Sequence, residues 1–127
     1  MKVNERILAV DDEPGVLRFV KASLSLGGYE VFTAAGGEEA LRLVKSEKPD
    51  IMLLDILMTP VNGFDVLKKL RAFSKIPVIA FTARNDIADA VLEAGADAFI
   101  DKPFKPDDLA LKIRELLDRG KPGNVRV

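Results

Sequence analysis

Five short runs of apolar residues punctuate the chain: Ile7 to Val10, Tyr29 to Thr33, Ile51 to Leu54, Val78 to Phe81 and Ala98 to Ile100. Each has the length of a β-strand, and each is followed by a stretch that reads as a helix. The first, third and fourth runs are apolar throughout, the pattern of parallel strands covered on both faces. Tyr29-Glu30-Val31-Phe32-Thr33 alternates more and reads as an edge strand. The helical stretches repeat every three to four residues, with Val16, Val20 and Leu24 in the first, Leu67 and Leu70 in the third, and Leu109, Ile113, Leu116 and Leu117 in the last. Such stripes are core-facing and need no functional explanation.

Local punctuation agrees with this periodicity. Pro14 suits a first helical turn, Gly27-Gly28 stops that helix, Pro49 and Pro77 stand just before strands, and Pro106 with Asp107 and Asp108 opens the last helix. Five strand-helix units predict an open parallel α/β sheet, doubly wound, with helices on both faces. The flavodoxin-like strand order 2-1-3-4-5 fits this number of units, and ligands in such sheets bind beyond the carboxyl ends of the strands. Residues 1–119 are expected to form one domain, and 120–127 have the composition of a linker that turns apolar at its end.

Composition narrows the chemistry. Nineteen basic and twenty acidic residues leave a formal charge of -1, so no overall field draws the domain to nucleic acid or to an anionic membrane. With no histidine and no cysteine, the chain cannot use disulfides, thiolate zinc sites, or Ser-His and Cys-His catalysis. Carboxylates, Lys and Thr must carry any reaction. No run approaches the length of a membrane span and no secretory leader is visible, so a cytoplasmic location is expected.

At the expected strand ends stand Asp11, Asp12 and Glu13, then Asp55, then Thr82, then Asp101, Lys102 and Pro103. Taken singly, these read as helix caps, turn residues or solvated charges. Taken together they do not, because strands one and three are neighbours in this order and bring Asp11, Asp12 and Asp55 to one spot. Two like charges ~4 Å apart repel by about 4 kcal/mol at an effective dielectric of ~20, so the cluster needs cations or must take up protons. Oxygen-only donors select a hard ion, and few carboxylates in an open site suit Mg2+ better than Ca2+. An ionised aspartate beside such an ion can attack phosphorus without a general base, while Lys102 and Thr82 can take phosphoryl oxygens.

From residue 5 to 119 the sequence resembles the receiver domains of bacterial response regulators, CheY-like proteins of two-component signal transduction. The resemblance rests on Val10-Asp11-Asp12-Glu13, Leu53-Leu54-Asp55-Ile56 followed by Met58 and Gly63, Phe81-Thr82-Ala83-Arg84, Gly95-Ala96-Asp97 and Asp101-Lys102-Pro103-Phe104. It implies that Asp55 is the phosphoacceptor, and that Asp12, Asp55, the Leu57 carbonyl and, through water, Asp11 bind Mg2+, for which Mn2+ can substitute. It implies that Thr82 and Lys102 bind the phosphoryl group, that Lys102-Pro103 is a cis peptide, and that Phe99 is the switch aromatic that follows Thr82. The implied partner is a sensor histidine kinase, the implied output is transcription through a DNA-binding effector domain of the full-length protein, and a homodimer is a further expectation. The domain would catalyse only its own phosphorylation and dephosphorylation, with no nucleic-acid or membrane contact of its own. Lys105 to Arg119 is most similar to the winged-helix class; a stand-alone receiver is the alternative. A docking-only receiver would lack site residues, and none is missing. An aspartate-nucleophile phosphatase of the haloacid dehalogenase type would need a spacer that Asp11-Asp12 lacks.

Two departures from the family pattern carry expectations of their own. In Met58-Thr59-Pro60-Val61-Asn62-Gly63 the proline comes one place late, which keeps the loop length but predicts a differently shaped turn. Apolar Leu57, where attacking water would pass, implies slow loss of the phosphoryl group. From Thr82 to Lys102 the chain is two residues shorter than the family norm. A two-residue loss inside a helix would rotate its remainder by ~200°, so the loss is expected before Ile87, leaving a short fourth helix and an altered dimer face. Asp97-Ala98 also stands where the winged-helix class commonly has two acids.

Overall fold

The computed structural model describes residues 4–58 and 62–119. The altered turn expected at Thr59-Pro60-Val61 and the linker expected over 120–127 lie outside the described residues. The elements run β1 (Arg6–Val10), α1 (Pro14–Leu26), β2 (Glu30–Ala34), α2 (Gly37–Glu47), β3 (Ile51–Asp55), α3 (Gly63–Arg71), β4 (Val78–Thr82), a single 3-10 turn (Asn85–Ile87), α4 (Ala88–Glu93), β5 (Ala98–Asp101) and α5 (Pro106–Arg119). All strand pairs are parallel, in the order β2-β1-β3-β4-β5. The expected α/β architecture and its strand order are present, with β2 at an edge as its alternating sequence predicts.

Period-two alternation divides the core between the two faces of the sheet. Leu8, Val10, Met52, Leu54, Val78 and Ala80 pack with Ala40, Val44, Val66, Leu67, Leu70 and Val91 of α2, α3 and α4. Ile7, Ala9, Ile51, Leu53, Ile79 and Phe81 pack with Val20 and Leu24 of α1 and with Leu109, Ile113, Leu116 and Leu117 of α5. Central strands therefore need apolar side chains in both parities, which is why β3 and β4 show no polar interruption until their last residues. Among the described residues, no helix is long and apolar enough to cross a membrane.

Four strands end one residue later than their apolar runs suggest, β2 at Ala34 and the other three at polar residues. Asp55, Thr82 and Asp101 end their strands instead of following them, because pairing continues through Asp55 with Phe81 and Thr82 with Asp101. The polar residues are thus fixed by sheet hydrogen bonding as well as by loops.

The shortened stretch after β4 behaves as its length predicts. A 3-10 turn over Asn85–Ile87 replaces the first helical turn, and α4 has only six residues, of which Val91 is buried. Its end is held from α3: Arg71 donates to the carbonyls of Gly95, Ser74 and Ile76 and to Asp97 Oδ2. Asp97 Oδ2 also accepts from the Val78 amide at 2.8 Å, fastening the loop before β5 to the start of β4. Gly95 adopts φ +120°, where a side chain would be strained and would press on Arg71.

Candidate functional site

The carboxyl ends of β1, β3, β4 and β5 converge on one acidic hollow. Asp11, the first residue beyond β1, is fully buried, and its amide donates to the Ala34 carbonyl at the end of β2. Its Oδ1 accepts from the Glu13 amide at 2.9 Å, which aims Oδ2 at Lys102 Nζ, also 2.9 Å away. Asp55 is 3% exposed. Its Oδ1 accepts from the Leu57 amide at 3.2 Å, and its Oδ2 lies 3.4 Å from Lys102 Nζ.

Two contacts, one of them dependent on glycine, keep the end of β3 in place. The Ile56 amide donates to the Phe81 carbonyl, and the Gly63 amide donates to the Ile56 carbonyl at 2.7 Å. A Cβ at Gly63 would sit 2.5 Å from Ile56 Cα and 2.8 Å from the Asp55 carbonyl oxygen, so only glycine lets α3 start this close to Asp55. Asn62 caps that helix by accepting from the Asp65 amide.

Thr82 is buried at the end of β4, and its hydroxyl accepts from the Arg84 amide at 3.2 Å. It makes a local turn and does not cap α4, whose N-cap position belongs to Ile87. The Lys102 amide donates to the Thr82 carbonyl at 2.9 Å, tying β5's exit to β4's end. The Lys102-Pro103 peptide bond is cis. Lys102 Nζ stands 5.2 Å from the centre of the Phe81 ring and 3.6 Å from Glu13 Oε1. Glu13 occupies the N-cap position of α1 without any side-chain cap bond, so its carboxylate is left to lean toward the lysine.

Charge in this hollow is unbalanced. One oxygen each from Asp11, Asp12 and Asp55 fall within 4.8 Å of one another. Burial, then the neighbouring Asp11 charge, push the Asp55 carboxyl up to about 6, against the downward pull of Lys102 and the Leu57 amide. Burial pulls Lys102 down, but its hydrogen bond to Asp11 and the charges of Asp55 and Asp11 outweigh this, so it is held above its ordinary value. One ammonium is too little for three carboxylates. The donor set, all oxygen and open on the Asp12 side, fits a hard divalent cation such as Mg2+.

Asp11, Asp12, Asp55, Thr82 and Lys102 are thus brought together. Leu57 stands at the rim, 45% exposed. Phe99 is set back from the hollow: it pairs with Ala80 on β4 and shares a sheet face with Thr82, half-buried at the edge. Sequence reasoning missed the aromatic wall beside Lys102. Phe104 packs edge-on against Phe81 at 5.6 Å and tilted against Phe19 of α1 at 6.4 Å, bordering a cavity of about 360 Å3. An aromatic at Phe19, beside the Val16-Val20-Leu24 stripe and not on it, was the available signal.

Comparison with known proteins accords with this geometry. Residues 7–114 match the family model of the response regulator receiver domain. A probable transcriptional regulator ycf27 of Cyanophora paradoxa is 46% identical over 122 residues, covering 94% of this chain and 51% of the relative. Response regulator MprA of Mycobacterium leprae is 42% identical, covering 94% and 54%. The chain spans about half the length of these curated relatives. Among solved structures, the receiver domain of Francisella response regulator 1452 superposes with a TM-score of 0.87 at 30% identity, covering 93% of this chain and all of that one. A CheY-like receiver domain protein of Methanospirillum hungatei superposes with a TM-score of 0.86 at 37% identity, covering 92% and 96%. Matched along most of its length in sequence and in fold, the chain belongs to the response regulator receiver domain family of two-component signalling.

Proposed function

We propose that Asp55 accepts a phosphoryl group from a phosphohistidine of a partner histidine kinase, and that this acceptance is the input to a regulatory switch. The observation that carries the reading is the placement of Asp55 Oδ2, buried at the end of a central strand and within 3.4 Å of the Lys102 ammonium. An Asp55 carboxylate oxygen forms the new bond to phosphorus as the phosphorus-nitrogen bond breaks. The departing imidazole keeps the electron pair and takes up a proton. Mg2+, or Mn2+ in its place, would be held by Asp12, Asp55 and the Leu57 carbonyl and, through water, by Asp11, and would supply the positive charge that lets an anionic acceptor meet an anionic phosphoryl group.

The chain's own residues do the rest. Asp11 fixes Lys102 through its 2.9 Å ion pair, and Lys102 offsets charge on one phosphoryl oxygen. The Thr82 hydroxyl donates a hydrogen bond to another oxygen, turning toward it from the Arg84 amide. Phe99, on the same sheet face, then moves into the space Thr82 leaves. Leu57 offers attacking water no hydrogen-bonding partner, so the acyl phosphate is lost slowly. Asp55 thus serves as a signalling acceptor and not as the nucleophile of a turnover enzyme.

For the whole protein, the output proposed is control of transcription through an effector domain, because the curated relatives named as transcriptional regulators are about twice the length of this chain. The test of the acceptor is incubation with acetyl phosphate and Mg2+ followed by intact-mass measurement. Wild type is expected to gain one phosphoryl group and Asp55→Asn none. No adduct on wild type, or equal adduct on both, overturns the assignment.

A further inference from the structure

We propose that the groove at the amino-terminal end of β3 and β4, opposite the acidic hollow, docks an acidic peptide segment that carries an apolar side chain. The groove is lined by Val44, Lys45, Lys48, Pro49, Phe73 and Ile76 and encloses about 280 Å3. Phe73, at 44% exposure, is its apolar centre, and Lys45 Nζ stands over that ring at 4.7 Å.

The case for an acidic occupant is charge complementarity. Arg42, Lys45, Lys48 and Lys75 are all exposed around this end of α2 and the α3–β4 loop, and none has a carboxylate within ion-pair distance among the described residues. Lys45 and Arg42 also line an adjoining groove along α2, together with Glu39, so cations outnumber carboxylates there too. The carboxylates closest in the chain are engaged elsewhere. Glu47 pairs with Arg6, Asp50 Oδ2 accepts from the Arg6 amide, and Glu39 accepts from the Ala35 amide.

The α2 dipole favours a cation at its carboxyl end, but one residue would satisfy it. Lys48 goes further: it ends α2 in the left-handed region, at φ 49°, a position where glycine is the common residue. A lysine there presents an ammonium at the groove mouth that glycine could not. An aromatic floor ringed by cations gives an acidic segment both an apolar anchor and steering charge.

The test is a titration of isotope-labelled protein, followed by amide chemical shifts, with a short synthetic peptide of Glu and Asp around one central Phe. Shifts are expected at Lys45, Lys48, Phe73 and Lys75, with affinity falling as salt rises. Lys45→Glu with Lys48→Glu should weaken binding by about tenfold or more, the sum of two reversed exposed pairs. The same variant should accept phosphate from acetyl phosphate like wild type, which separates lost docking from lost folding or lost receiver chemistry. The proposal is overturned if the peptide does not bind, if its shifts cluster at another face, if a Gln and Asn version binds equally well, or if duplex DNA binds these residues more tightly than the peptide.

Discussion

At the scale of single residues, the acidic hollow is a site held under electrostatic load. A carboxyl group usually gains from folding by having its pKa lowered; Asp55 is raised to about 6 by burial and by Asp11. The sign of the linkage is therefore reversed. The folded state holds the Asp55 proton more tightly than the unfolded state, so metal-free stability is highest below pH ~4 as far as this group is concerned. It declines as pH rises from the ordinary aspartate value through about 6, by about 3 kcal/mol at most. Asp55→Asn removes that penalty. In EDTA, urea unfolding should show the variant more stable than wild type at pH ~7 to 8 by about 1–3 kcal/mol and nearly equal to it at pH ~4. Equal stability at both pH values would mean that Lys102 already neutralises Asp55.

At the scale of elements, the weakest connection is the path from Thr82 to β5. Helix α4 has six residues and a 3-10 turn in place of a first helical turn, too short to be stable by itself, so it depends on the contacts that surround it. Arg71 supplies the missing restraint, because its guanidinium satisfies three carbonyls from the loops that flank β4 and α4 and pairs with Asp97. Arg71→Ala leaves those acceptors without their donor and should cost about 2–3 kcal/mol. Hydrogen exchange should show the loss concentrated in residues 85–97, with α1 and β1 little changed; uniform acceleration would refute the local role.

The short α4 was legible in the sequence, because deleting residues within a helix would turn its apolar face to water. The core stripes and the strand-end places of Asp11, Asp12, Asp55, Thr82 and Lys102 were legible because apolar period and strand-end position are local properties, whereas the strand order came from matching five strand-helix units to a flavodoxin-like pattern. The Arg71 network was not, since Arg71 is one cation among many on an amphipathic helix and its partners lie up to 26 residues away. Nor was the Asp11–Lys102 pair, whose partners are 91 residues apart and meet only once the sheet is assembled.

Across the whole molecule, the site acts as a clasp between distant parts of the chain. Asp11 and Asp12 follow the first strand, Asp55 ends the third and Lys102 follows the last, so an ion bound among the three carboxylates requires the assembled sheet and has no counterpart in the unfolded chain. Anything that binds only the folded state stabilises it by mass action, by about 2.7 kcal/mol at one hundred times its dissociation constant. For a domain of this length that corresponds to a rise in Tm of roughly 5–15 °C. Mg2+ should therefore raise Tm in a saturable way near neutral pH, and EDTA should reverse the rise. NaCl at matched ionic strength should give much less, because screening weakens the carboxylate repulsion without bridging the groups. Asp12→Asn together with Asp55→Asn should remove the Mg2+ effect while leaving the fold intact, since Asp12 lies at the surface of the hollow and asparagine keeps the volume of the aspartate it replaces at position 55. A rise in Tm that matched NaCl, or that persisted in the double variant, would place the ion elsewhere on the surface and leave the hollow to Lys102 alone.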